Sequence, residues 1–262
     1  MVTSDGNNSA VWDAESITIT HLIDGFSPTY CSNGQYIITS DIKGDDYLLN
    51  IWDSKSYTIT NIINQNTLLS KGGISPQCSP DGRHIAANYG AQGRNNYKIA
   101  IWDLKTLQIE EVITQTDFVL SFQYSPDSKE LAIGRSDSTV TIWNIDNKND
   151  RIYLVGHTQV IFHVSYSPDG NMLATSSLDG TSKVWDTKDG TLLFTLSDHQ
   201  GAVVSSSFSA DGRKLVTASR DGTIRKYLIK TDDLLRLASS RVTRDLLPEE
   251  RKQFIEPVVM QL

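Results

Sequence analysis

At 262 residues, with 39% hydrophobic and 21% charged side chains, the chain is long enough for one large domain with its own core and has the composition of a soluble globular protein. A formal net charge of −7 and a pI near 5.2 exclude a general nucleic-acid binder, which needs a basic footprint. Behind Met1 there is no apolar leader, and no 18-residue apolar run follows, so neither a signal peptide nor a membrane span is expected. The charge is uneven. Residues 201–262 hold eleven Lys and Arg against eight Asp and Glu, a net of +3, so residues 1–200 carry −10. Solvated faces account for such a split, with a site for an acidic partner near the C-terminal end as the other reading.

Residues 1–22 read as a fragment of a unit that recurs later. Ser4-Asp5-Gly6 followed by Val11-Trp12-Asp13 matches Leu178-Asp179-Gly180 followed by Val184-Trp185-Asp186. The two strands that should precede the fragment are missing, so the chain is expected to be the C-terminal piece of a longer repeat protein, or a product that starts late. Ile17 to Leu22 forms a strand that could complete the last unit and close a ring of five.

The first full unit spans about Phe26 to Ile63 and carries Trp52. From its turn residue Asn33 to Trp52 is 19 positions, where the last three units have 16. The extra residues lie at 41–47 and include Asp45, Asp46 and Tyr47. Gln65 to Lys71 is a polar surface connection. The second unit, about Gly73 to Ile113, has 21 positions from Asp81 to Trp102, and its insertion at 89–97 carries Tyr89, Arg94, Asn95 and Tyr97. Both insertions fall between the second and third strands. Cys31 and Cys78 stand immediately before the turn serine in consecutive units, where Tyr124, Tyr166 and Phe208 stand later. That apolar place predicts two buried thiols in a reducing compartment rather than a disulfide.

The units anchored by Trp143 and Trp185 are regular. In the second of these, Val160 to Tyr166 is a β-rich run and Pro168-Asp169-Gly170 supplies turn chemistry. Met172 to Ser176 is a second strand, Asp179-Gly180 a turn and Thr181 to Trp185 a third strand. Asp189-Gly190 leads to a fourth strand, Leu192 to Leu196. The last unit ends at Tyr227, in the place of Trp. After it the pattern changes: Thr231-Asp232-Asp233 caps a helix whose apolar positions recur at three and four, and Pro248 opens a second.

From Trp12 the aromatic anchors recur at intervals of 40, 50, 41, 42 and 42 residues, and the turn Ser167–Gly170 recurs in step at Ser209, Ser125, Ser79 and Ser32. Two independent markers with one period define a repeat array. Four short antiparallel strands cannot cover their own faces, and radial stacking of copies does so. The expected fold is therefore all-β, a β-propeller of about five blades plus a partial first blade (1–22), within a domain spanning 1–230. A short helical tail (231–262) is expected to pack on the last blade.

The pattern GH, SPDG, D and WD resembles the WD-repeat propeller family over roughly residues 1–230. In that family a His, a Ser or Thr, an Asp and the Trp form a buried hydrogen-bond chain in each blade. His157, Thr175 or Ser177, Asp179 and Trp185 match it, and so do His199, Thr217 or Ser219, Asp221 and Tyr227. Asp137 and Trp143 keep the Asp-to-anchor spacing of 6 without a GH. The chemistry makes these residues structural, because a buried indole N–H needs an acceptor and a buried Asp or His needs partners. The resemblance places the insertions on the narrow rim that most often contacts partners. It also places Phe162, His163, Leu178 and Arg220 near the central channel opening on that face. The string LLRLASSRVTRDLLPEERKQF is similar to the tail of bacterial WD-repeat signalling proteins. That implies a sensor role and N-terminal effector domains in a longer parent chain.

The sequence holds no phosphate-binding GxxxxGK, no GxSxG, no HExxH and no CxxC, and none of the five His has ligand spacing to another. No cofactor, metal or catalytic residue is expected. The function expected is a cytoplasmic protein-binding scaffold or sensor that touches a protein partner through the rim, with neither nucleic acid nor membrane involved. A propeller enzyme with a channel-bound site, or a nonfunctional relic of a longer signalling protein, are the alternatives.

Overall fold

The computed structural model describes residues 2–4, 8–13, 15–31, 34–43, 46–64, 76–90, 97–115, 117–230 and 232–236. These residues fold into six small antiparallel sheets in chain order. Sheet 1 holds β1 (Val2–Ser4), β2 (Asn8–Asp13) and β3 (Thr18–Asp24). Sheet 2 holds β4 (Phe26–Tyr30), β5 (Tyr36–Lys43), β6 (Asp46–Asp53) and β7 (Ile59–Asn64), and sheet 3 holds β8 (Gln77–Cys78), β9 (His84–Gly90), β10 (Tyr97–Asp103) and β11 (Ile109–Gln115). Sheet 4 runs β12 (Val119–Tyr124), β13 (Glu130–Arg135), β14 (Thr139–Asn144), β15 (Arg151–Val155); sheet 5 runs β16 (Ile161–Tyr166), β17 (Met172–Ser177), β18 (Ser182–Asp186), β19 (Leu192–Leu196). Sheet 6 has β20 (Val203–Phe208), β21 (Lys214–Ser219) and β22 (Ile224–Leu228). Each sheet pairs its strands in sequence order, so the repeat period is one sheet.

The turn between first and second strands shows why Ser, Asp and Gly recur. Ser167 Oγ donates to Asp169 Oδ1 at 2.6 Å and accepts the Met172 N–H at 2.9 Å, closing the hairpin from inside. Gly170 takes a φ of 74°, in the left-handed region that favours glycine. Ser128 occupies the same place in sheet 4 at φ 65°. Its hydroxyl accepts the Asp81 N–H at 3.0 Å, a bond across to sheet 3 that offsets the backbone cost. The turn after the third strand relies on the Asp that follows the anchor. Asp53 Oδ1 accepts the Ser56 N–H at 2.8 Å and Asp103 Oδ1 the Thr106 N–H at 2.6 Å. Ile17, Tyr57 and Leu107 sit there at φ 54°, 54° and 58°, where sheet 5 has Gly190 at 77°.

Side chains alternate across each strand, so both faces of a sheet must be covered. Five apolar clusters do this, one between each successive pair of sheets. Val11 and Ile23 of sheet 1 meet Ile37 and Trp52 of sheet 2. Ile38, Leu49 and Ile51 meet Ile85 and Trp102, and Ile99 and Ile101 meet Leu131 and Trp143. Ala132, Val140 and Ile142 meet Val164, Leu173 and Trp185, and Ala174 and Val184 meet Leu215 and Tyr227. In each case the anchor aromatic lies on the face turned to the preceding sheet, and the residue before it lies on the opposite face. Among the described residues no cluster joins sheet 6 to sheet 1.

Several expectations are corrected. Cys31 and Cys78 are not free thiols: they form a disulfide, with Cα atoms 5.2 Å apart. The matched positions of two consecutive units face each other across the interface of sheets 2 and 3, which a single unit does not reveal. The support that free thiols gave to a reducing compartment is withdrawn with them. Part of one of the two strands thought missing ahead of the Ser4-Asp5-Gly6 turn is present, since the three-residue β1 pairs with β2 through Val2 and Val11. The strand at 17–22 does not complete the last unit. As β3 it pairs with β2 inside sheet 1, and sheet 6 keeps three strands. The insertion at 41–47 lengthens a hairpin instead of forming a loop, because β5 and β6 stay paired out to Lys43 and Asp46. The strands of the 89–97 insertion likewise pair out to Gly90 and Tyr97.

Residues 232–236 are helical, and Arg213 forms a double ion pair with Asp233, Nε to Oδ2 at 2.7 Å, which ties the helix start to sheet 6. Thr231, residues 65–75 and the tail beyond 236 lie outside the described residues. No helix among the described residues is long and apolar enough to cross a membrane.

Candidate partner-binding face

The polar chain of sheet 5 is built by strand parity. Trp185 on β18 and Thr175 on β17 share a face, and the indole N–H donates to Thr175 Oγ1 at 2.9 Å. Thr175 Oγ1 lies 2.7 Å from His157 Nε2, and His157 Nδ1 lies 2.8 Å from Asp179 Oδ2. One proton assignment satisfies these three contacts: Thr175 donates to Nε2, and Nδ1–H donates to the carboxylate. Ser177 stands outside the chain and donates to the Gln159 carbonyl at 3.0 Å. Burial pushes the His157 pKa down, against the pull of Asp179. Burial alone would raise Asp179, but bonds from Thr181, the Thr158 N–H and His157 outweigh it and hold the carboxyl below its usual range.

Sheet 6 repeats the arrangement. His199 Nδ1 lies 3.0 Å from Asp221 Oδ2 and Nε2 lies 2.7 Å from Thr217 Oγ1, but Tyr227, in the place of the indole, does not join the chain: its buried hydroxyl has no hydrogen-bond partner. The Thr223 hydroxyl leads the contacts that lower the Asp221 pKa. In sheet 2, Trp52 donates to Thr39 Oγ1 at 2.9 Å without a His.

Sheet 4 solves the same problem differently. Asp137 and Trp143 are not joined: the buried indole N–H has no hydrogen-bond partner, and Arg151 covers the ring at 3.8 Å. Asp137 instead accepts the Thr139 N–H at 2.9 Å and pairs with Arg135 Nε at 3.5 Å. Arg135 is 7% exposed and donates to Gln115 Oε1 at 3.0 Å and Thr141 Oγ1 at 2.6 Å. Sequence reading missed it. The signal available was a lone Arg where the next two units have Ser177 and Ser219.

The end of each sheet that carries this polar chain also carries the sequence-predicted contact residues. Leu178 N–H donates to the Val160 carbonyl at 2.9 Å, Arg220 N–H to that of Ala202 at 2.8 Å and Ser136 N–H to that of Phe118 at 2.9 Å. Every sheet from 4 to 6 therefore presents a first-strand residue and a pre-turn residue side by side. Arg220 is exposed, and its guanidinium lies over the Phe162 ring at 5.1 Å, joining sheets 5 and 6. Tyr97 meets Phe118 edge to face at 5.3 Å, joining sheets 3 and 4. Phe118 was not singled out by sequence, although it stands in register with Val160. His163 is half-buried, and desolvation lowers its pKa against a main-chain contact with Ser206. Asp46, Tyr47 and Tyr89 lie on β6 and β9, while Asp45, Arg94 and Asn95 lie outside the described residues.

No group of three or more His, Cys, Asp or Glu among the described residues is placed to hold a metal ion. The family model for the TolB beta propeller domain matches residues 30–246. No curated protein matches the chain. The match supports the propeller expected from the sequence, as one of TolB type and not specifically of WD-repeat type. The chain belongs to the TolB beta propeller domain family.

Proposed function

We propose that the protein is a binding module that holds a protein partner on the face lined by Phe162, Leu178 and Arg220, and does no bond chemistry. The propeller fold supports a protein-interaction role in general, and one observation carries the finer reading. An exposed arginine stacked on a half-buried phenylalanine bridges two blades at the end where the turns converge. Rigid aromatic and guanidinium groups give contact area and directed donors at modest entropic cost. The polar chains behind the face fix it. His157, Thr175, Asp179 and Trp185 lock the second and third strands of blade 5, so Leu178 and Phe162 are displayed from a stiff support. That chain also favours a blade of WD-repeat type within the wider family, and a sensor role. The disulfide fits an oxidising compartment better than the cytoplasm.

Quantitative affinity capture with the wild-type chain and with Phe162→Ala/Arg220→Glu, both at matched thermal stability, tests the reading. A partner retained by the wild type and lost at least tenfold by the variant supports it; an unchanged set of captured proteins rejects this face.

A further inference from the structure

Strands β12, β16 and β20 lie side by side, and Phe162 stands near one end of that row. At the other end the three strands run into the Ser-Pro-Asp or Ser-Ala-Asp turns, where a cavity of about 350 Å³ opens. Ser165 borders it, three residues and about 10 Å along β16 from Phe162. The cavity is therefore separate from the partner face. Its polar lining comes from one repeat position: Gln123, Ser165 and Ser207 each precede the aromatic that closes the strand. Gln77 holds that position in sheet 3, so four consecutive first strands bring an uncharged amide or hydroxyl to it. The turn prolines Pro80, Pro126 and Pro168 supply carbon surface beside them.

In a chain of net charge −7, no Asp, Glu, Lys or Arg lines this cavity. The nearest carboxylates face elsewhere. Asp127 Oδ1 accepts from Ser125 Oγ at 2.7 Å and Asp169 Oδ1 from Ser167 Oγ at 2.6 Å, and both residues line a separate cleft between sheets 4 and 5. The cavity's own groups are available. Gln123 Oε1 accepts the Tyr166 N–H at 2.7 Å, which orients the amide so that its NH2 group is left to donate. Ser165 Oγ has no partner among the described residues, and Ser207 Oγ makes only a 3.5 Å contact with the Phe208 carbonyl.

This lining selects a class of ligand. A carboxylate or ammonium would lose water and meet no opposite charge, and a wholly apolar ligand would strand the hydroxyls and the amide. Hydroxyl groups match, because a serine hydroxyl both donates and accepts and the Gln123 amide donates. Proline rings offer flat C–H surface for the carbon skeleton between those hydroxyls. The volume falls within the range of about 300–1,000 Å³ usual for small-molecule sites. We propose that this cavity binds a neutral carbohydrate, held by Gln123, Ser165 and Ser207 against the turn prolines, at the end of the propeller opposite the partner face.

Saturation-transfer NMR on the whole chain tests this, with glucose, galactose, N-acetylglucosamine and maltose as neutral sugars. Glucuronic acid, glucosamine and a blocked dipeptide amide serve as comparisons. At least one neutral sugar should bind with a Kd below about 10 mM, and at least tenfold more tightly than the comparisons. Ser165→Val, which removes a hydroxyl that no other group uses, should weaken that sugar about tenfold at an unchanged thermal melt. Gln123→Glu keeps an acceptor for the Tyr166 N–H, removes the donors and adds a charge, so it should weaken the neutral sugar and strengthen glucosamine. Phe162→Ala/Arg220→Glu should leave sugar binding unchanged, so the partner face and this cavity stand or fall separately. The proposal is overturned by a lack of transfer to every neutral sugar, by equal binding of the charged sugars or the dipeptide, or by binding indifferent to both cavity variants.

Discussion

Thr175 is the hinge of the polar chain in blade 5, because one hydroxyl serves both the Trp185 indole and the His157 imidazole. Thr175→Val keeps the shape and strands two buried polar groups. At about 1–3 kcal/mol for each, a loss of about 2–6 kcal/mol is expected in denaturant unfolding, with the m-value unchanged. Acid should act on the same residues. His157 and His163 are held by burial below the ordinary imidazole pKa of 6.5, so the stability they contribute is complete above it and is lost as pH falls below it. Asp179 is held below 3.8 and adds a second loss in more acidic solution. The melting temperature should therefore fall between pH 7 and 5, and fall less in a His157→Gln/His163→Gln variant. A flat wild-type profile over that range would refute the assignment. His157, Asp179 and Trp185 were legible from sequence spacing. The choice of Thr175 over Ser177 was not, since both lie on one face and only the reach of the imidazole separates them.

Hairpins and turns carry their own costs. Ile17 holds a φ of 54° and is 71% exposed, so its β-branched side chain is strained without packing in return. Ile17→Gly should raise stability by about 1 kcal/mol, read as a shift in denaturant midpoint. The Cys31–Cys78 bond ties the residue after β4 to β8, joining sheets 2 and 3 across a sequence separation of 47. Loop-closure entropy puts its contribution near 4 kcal/mol, so Cys78→Ser should lower stability by up to about that amount, and a reductant should affect the wild type alone. The turn serines, aspartates and glycines announced these hairpins in the sequence. The disulfide stayed hidden because one unit shows only an apolar position, and the facing of two units belongs to their packing.

Stacked blades are stabilised by their neighbours, so a blade with one neighbour opens more easily than a blade with two. In dilute solution amide exchange should therefore be faster in β22 and β2 than in β17 and β18; uniform protection across all six sheets would argue that the ends are covered. The repeat, the strand alternation and the turn chemistry were determined by the chain alone, because each depends on residues a few positions apart and recurs with one period. Tertiary structure decided the rest: which strands complete which sheet, the pairing of Cys31 with Cys78, and the buried Arg135 where the next two units have a serine. Those outcomes arise from contacts that the period does not specify: Cys31 meets Cys78 across a separation of 47, and Arg135 meets Gln115 twenty residues back.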